Sequence, residues 1–302
     1  MTWVFLAILS HLFWGITNIG EKFLIDRHFK NPIVYNLWAF ILGGSNILII
    51  FFIDFIWPNV TQLLLLGIAS LGFFLGAMFY IKAIQIEEVS RINMLWNLIP
   101  IYSVFLAWFF IGESLSITQI VALIILVLSG FVASLHVKFL GKITISRAFI
   151  LMLIGTLFFS IFGVTLRMVT MNGYPASSAF VISGTYYVLF SVIILIFVKQ
   201  LRIDFKKESK YFLLPKILGI VFVINIISRI GTILNINAIS LGPIALVNAL
   251  EVSQTIFVFL IALFLSLFFP KIIKEEIDKK NIALKIFAMI LMIIGILILN
   301  LG

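Results

Sequence analysis

The sequence contains no cysteine, only three histidines and few charges of either sign. Without thiols it can form no disulfide and no thiolate metal or redox centre. Three scattered histidines, with no His-Glu-x-x-His pair, cannot build a catalytic metal site. A nucleophile elbow and clusters of acidic residues on one face are also missing, so an enzyme is not expected. No Gly-x-x-x-x-Gly-Lys-Ser/Thr loop is present to cradle a nucleotide phosphate, which removes direct driving by ATP. Neither a cofactor nor a metal is therefore expected.

What fills the chain is apolar. Of 302 residues, 63% are hydrophobic and 11% charged, against roughly 25% charged in soluble domains. A helix needs about 20 mainly apolar residues to cross the hydrocarbon core. Ten stretches qualify: residues 2–21, 33–53, 61–83, 91–112, 117–135, 147–170, 176–198, 214–238, 244–268 and 282–300. Too little chain remains for a soluble domain, so the expected fold is an all-α membrane protein of ten transmembrane helices. The first stretch has no basic leader and no small-residue cleavage site, and reads as a span and not a removed signal peptide.

The formal net charge of +9 does not imply nucleic acid. Of the 21 Lys and Arg, all but Arg167 and Arg229 fall in or beside the connections 1–2, 3–4, 5–6, 7–8 and 9–10. Basic loops stay cytoplasmic. The odd-to-even connections are thus expected inside and both termini outside, in a multi-pass protein of the cell (inner) membrane.

The two halves correspond weakly but in order. Residues 13-FWGITNIGEK-22 align with 158-FFSIFGVTLR-167, pairing Lys22 with Arg167 at an offset of 145. Residues 80-YIKAI-84 align with 235-NINAI-239 at an offset of 155, which also carries Asn93 onto Asn248. Five spans per half force the second half to enter upside down, and the placement of basic connections inverts accordingly. The expected units are residues 1–136 and 147–302, joined by a linker at 137–146. Inverted repeats of this kind bind substrate near the midplane between the two copies.

Trp14-Gly15 followed by Lys22, the segment 79-FYIKAI-84, Pro100 with 112-GE-113, and the aliphatic run 117-ITQIVALIILVLSGFVA-133 resemble the drug/metabolite transporter superfamily in its ten-span form with two EamA-type repeats. The resemblance covers nearly the whole chain. It implies a ten-helix basket with a central cavity lined by spans 1–4 and 6–9, with spans 5 and 10 outside. It also implies alternating-access movement of small metabolites, frequently export of amino acids or related amphipathic compounds. Two departures stand out. Thr255 replaces the proline matching Pro100, and Trp14 occupies the place where four-span relatives carry an acidic coupling residue.

Polar stripes run along several spans. Asn93, Trp96, Asn97 and Pro100 share one helical face, and Pro100 should kink span 4 and serve as a gating element. Span 1 offers His11, Trp14 and Asn18. Span 8 offers Asn225, Ser228 and Arg229, and span 9 offers Asn248, Glu251 and Thr255. Amides cannot face lipid unpaired, so these stripes either bind substrate in a cavity or bond helix to helix. Arg229 and Glu251 lie inside apolar spans, where a charge costs about 2.5–3.5 kcal/mol on insertion scales. They are expected to pair across the cavity, to meet a charged substrate group, or to form a structural bridge. The expected partners are a small-molecule substrate and the bilayer. Transport would be coupled to a proton or sodium ion or run as facilitated exchange, and ten spans can enclose a cavity in a monomer, with an oligomer left open. A lipid-linked-sugar flippase and a non-transporting sensor or assembly protein are the alternatives.

Overall fold

The computed structural model describes residues 2–87, 92, 95, 96, 98–134, 147–269 and 279–299, and these are helical with no strand among them. In chain order the helices are α1 (Thr2–His28), α2 (Pro32–Gly43) continuing as a 3-10 segment (Gly44–Phe52), α3 (Val60–Ile86), α4 (Leu98–Ile111), α5 (Ile117–Ser134) and α6 (Arg147–Thr170). They continue as α7 (Ala176–Phe197), α8 (Lys199–Phe212), α9 (Pro215–Leu241), α10 (Ile244–Ala249), α11 (Val252–Phe268) and α12 (Lys279–Leu299). Seven segments are long and apolar enough to cross a bilayer: α1, α2 with its 3-10 extension, α3, α6, α7, α9, and α10 with α11. Three apolar helices are shorter, at Leu98–Ile111, Ile117–Ser129 and Ile286–Ile298. Seven of the expected spans coincide with the long segments and the described parts of 91–112, 117–135 and 282–300 with the shorter helices, and the protein is an integral, multi-pass membrane protein.

Outward faces carry large apolar side chains, such as Phe52 at 85% and Phe109 at 73% exposure. No soluble surface tolerates such a density, whereas a lipid environment requires it. In membranes helices associate by close packing, because lipid is as apolar as leucine. Two sites show how glycine permits this. A Cβ at Gly72 would lie 2.8 Å from the Phe158 carbonyl, and one at Gly76 would lie 3.1 Å from the Gly155 carbonyl. The small-xxx-small pattern 72-GFFLG-76 thus brings α3 backbone to backbone with α6. A Cβ at Gly184 would meet the Gly43 carbonyl at 2.6 Å, so α7 presses against the α2 end where the 3-10 segment starts.

Helices α5 and α12 pair with each other. The Ser129 hydroxyl donates to the Ala288 carbonyl at 2.6 Å, and Gly295 lies against Leu126. Around this pair the α12 residues Ile286, Ile290, Ile293 and Leu297 are exposed.

The basic stretch expected to be a plain connection is a helix, α8. Leu201, Phe205, Glu208 and Phe212 recur at helical spacing and turn toward the bundle. Trp38 stacks on Phe205 and Phe212, with centroids 5.0 and 4.4 Å away, and its indole N–H donates to Ser209 Oγ at 3.0 Å. At the start of α2, Asn31 caps the helix by accepting from the Ile33 N–H while its own backbone N–H donates to Glu208. Its amide donates to Asp204 Oδ2 at 2.8 Å. Two carboxylates of α8 thus sit over the electropositive start of α2, which favours them.

A cavity between the two halves of the chain

Between the helices lies a cavity with about 170 Å³ open to water. Its walls come from α1, α2, the 3-10 segment, α3, Trp96, α4, α6, α7, α9, α10, Glu251 and α11, and no described residue of α5 or α12 contributes.

Most residues singled out by the sequence meet here. His11, Trp14 and Asn18 from α1, Trp96, Asn225, Ser228 and Arg229 from α9, and Asn248 with Glu251 all line the space. Asn93 and Asn97 lie outside the described residues. Thr255 is buried in α11 but does not line the cavity.

Residues 92 and 95 are helical, a turn falls at Trp96, four residues before Pro100, and Leu98–Ile111 is helical. The Ile99 N–H donates to the Trp96 carbonyl at 2.9 Å, the carbonyl that an N–H at position 100 would otherwise take. Span 9 is interrupted too: α10 ends at Ala249 and α11 starts at Val252, with Glu251 as the flanking residue. Trp96 and Glu251 differ by 155, the repeat offset, so both interruptions fall at matching positions.

Arg229 and Glu251 do not pair with each other. The Arg229 guanidinium donates to the exposed Ser45 hydroxyl of the 3-10 segment. Glu251 is 6% exposed, and among the described residues no side chain or backbone group bonds its carboxylate. The amides divide between the two roles weighed for them. Asn248 lines the cavity and also donates to Ser103 Oγ of α4 at 2.6 Å, bonding helix to helix. Asn225 donates back to the Val221 carbonyl of its own helix at 2.9 Å. His11 Nδ1 lies 3.4 Å from Gln254 Oε1 and its ring meets Trp14 edge-on.

The sequence reading missed several wall residues, foremost Glu21. Its carboxylate faces the cavity, with the hydroxyls of Tyr35 and Tyr80 beside it. The signal was present. Asn18 and Glu21 are three apart and extend the α1 stripe by a turn, to the last residue of the expected span 2–21. Trp96 packs between Tyr80 and Phe159 at 5.1 and 4.8 Å. The Trp96 indole N–H, the Tyr187 hydroxyl, the Asn46 carbonyl and His11 Nε2 are buried on this wall with no partner among the described residues. Buried polar atoms are normally satisfied, so their convergence marks a space for water or ligand.

Each end of the cavity is fastened by a cation. The Lys22 ammonium donates to the Ile84 carbonyl at 2.9 Å and pairs with Asp26 at 3.1 Å. At the opposite end Arg167 donates to the Ile239 and Ser240 carbonyls at 3.0 and 2.6 Å. Lys22 and Arg167 are aligned residues, and Ile84 and Ile239 are aligned carbonyls. Cations at helix C-termini complement the free carbonyls there. The Arg167 end has an addition: Glu113 Oε1 sits 3.4 Å from Arg167 Nε, while Oε2 accepts the Ile244 N–H that opens α10 at 3.0 Å.

The hollow is lined by aromatic and amide side chains and walled by apolar helices. Residues 1–135 match the EamA-like transporter family, which belongs to the drug/metabolite transporter superfamily. Members of that family are transporters and not enzymes. One solved crystal structure matches 99% of this chain and 96% of its own, with TM-score 0.67 and 13% identity. At that identity the likeness speaks for the fold alone. No curated protein matches the sequence.

Proposed function

We propose that the protein is a secondary transporter working by alternating access, exporting a small amphipathic metabolite such as an amino acid or a related compound. In this reading residues 1–136 and 147–302 are inverted five-helix copies, and the cavity between them is the substrate site. His11, Trp14, Asn18, Trp96, Asn225, Ser228, Arg229, Asn248 and Glu251 are its contacts. One observation carries the proposal: Lys22 on Ile84 and Arg167 on Ile239 are the same contact made by aligned residues at opposite ends of one cavity. Two copies that close opposite mouths in the same way can open them in turn. With basic connections inside, Lys22 marks the cytoplasmic mouth and Arg167 the outer one, the membrane being the cell membrane.

A flippase for lipid-linked sugars is the second reading. Its support is the Arg229–Ser45 contact, which links the cavity wall to an exposed position on the 3-10 segment.

The test uses the absence of native cysteine, which gives a blank background for labelling. Single cysteines beside Lys22 and beside Arg167 would be probed in proteoliposomes with an impermeant thiol reagent, with and without a substrate panel. Opposite changes in labelling at the two ends on addition of a transported compound are expected. Parallel changes, or none with any compound that the vesicles take up, would remove alternating access.

A further inference from the structure

We infer that the cavity takes ligands bearing a cationic nitrogen on an apolar body, with the Glu251 carboxylate as the main counter-charge and Glu21 as a second station along the same passage. This deepens the transporter reading and rests on it for the direction of travel, but not for binding.

The charge inventory comes first. Three side chains able to carry a full charge, besides His11, line the cavity: Glu21, Glu251 and Arg229. The acids outnumber the base, and the base is engaged, since Arg229 gives its guanidinium to Ser45 at the exposed edge. Glu251 is buried and has no partner among the described residues. An isolated carboxylate is costly to hold in a low-dielectric interior. Such a group either holds its proton or is balanced by a charge from outside the chain, and a ligand cation would supply that balance while releasing the proton.

Position comes second. Trp3 of α1 lies against Gly242, so the start of α1 and the end of α9 share one end of the molecule with Arg167. At about 1.5 Å per residue from that end, Glu251 lies about 10 Å in, Arg229 about 18 Å and Glu21 about 28 Å. The two carboxylates therefore stand at different depths, one toward each mouth.

The walls come third. Trp14, Trp96, Tyr80 and Phe159 present aromatic faces, which attract cations as well as apolar groups. No group of three His, Cys, Asp or Glu able to hold a metal ion exists among the described residues. The surroundings thus favour an organic ammonium over a bare divalent ion.

The experiment is calorimetric binding to the purified full chain, using 2-phenylethylamine and 3-phenylpropionate, nearly isosteric probes of opposite charge. Phenylethylamine is expected to bind about tenfold or more tightly than the carboxylate, a gap of about 1.4 kcal/mol. Glu251→Gln should weaken the amine about tenfold or more, as loss of a charged hydrogen-bond partner does, and Glu251→Asp by less. Glu21→Gln should give a smaller loss. Equal or tighter binding of the carboxylate, binding of neither probe, or an amine affinity indifferent to Glu251→Gln would overturn the inference. The wild-type contrast needs no variant, so it decides even if the substitutions fail to fold. In proteoliposomes, amine that binds but does not cross leaves this inference standing and removes the transport reading. Carboxylate that binds and crosses does the reverse.

Discussion

The Lys22 end and the Arg167 end of the cavity are built on one plan with different fastenings. At the first, an ammonium holds one carbonyl and a half-exposed neighbour, Asp26, on its own helix. At the second, a guanidinium holds two carbonyls, and Glu113 ties it to the start of α10. Arginine's planar fork suits several acceptors at once, whereas lysine is a point charge. A contact within one exposed turn contributes little, while one that joins α4, α6, α9 and α10 resists separation of whole helices. The difference teaches that the two ends of one cavity need not be held equally firmly.

Four substitutions would sharpen or break this comparison. Arg167→Met should have the largest effect, because it leaves two carbonyls and Glu113 Oε1 without their cation, Glu113 keeping only the Ile244 N–H on Oε2. A loss of about 2–3 kcal/mol is expected, read as a drop in thermal unfolding temperature in detergent. Thiol labelling at that end should also rise. Glu113→Gln keeps an acceptor for the Ile244 N–H but removes the charge, so about 1–2 kcal/mol should go. Lys22→Met should cost about 1 kcal/mol, for one charged hydrogen bond near the surface. Asp26→Asn should change stability by a few tenths of a kcal/mol, the usual size of an exposed i,i+4 pair. If Lys22→Met proved as damaging as Arg167→Met, the asymmetry drawn here would fall.

The smallest effect concerns α8, outside the spans. Burial raises the Glu208 carboxyl above the ordinary range, against the N–H groups of Asn31 and Lys30, which lower it, while Asp204 adds to the rise. A raised acid binds its proton more tightly in the folded state. Its contribution is therefore favourable at low pH and is lost as pH climbs above the usual carboxylate range toward the folded value. Glu208→Gln, which can still accept from Asn31, should flatten that pH dependence in melting curves from mildly acidic to neutral pH. An unchanged slope would show that the ionised form is well accommodated.

Much of this architecture was readable beforehand because the bilayer imposes one dominant rule: apolar stretches of sufficient length become helix. Span positions and the exposure of α12 follow from it, while the helix that meets the glycines of α3 does not. The convergence of the α1 and α9 stripes follows as well, because amides must turn away from lipid. What escaped were features that depend on neighbours in space. Glu21 is the last residue of the expected first span, whereas α1 runs on to His28 and holds it on the cavity wall. Asn36, Asn46, Tyr35 and Tyr80 sit in spans whose overall character is apolar, and only the bundle shows that they share a wall. Helix α8 was hidden by its charge, although its apolar period was present. The partner of Arg229 depended on the 3-10 turn that exposes Ser45, and no residue spacing along the chain encodes that meeting.

The interruption at Leu250 and Glu251 contains no proline, and both residues keep right-handed helical dihedrals. Its counterpart after Trp96 is followed by Pro100, whose ring stands in the way of a straight rod. One joint is therefore chemically barred from straightening, and the other needs only a slight torsion to become continuous helix. Such straightening would swing the Glu251 side chain around the rod and alter which end of the cavity it addresses, giving residues 147–302 a moving part that the first half of the chain does not have.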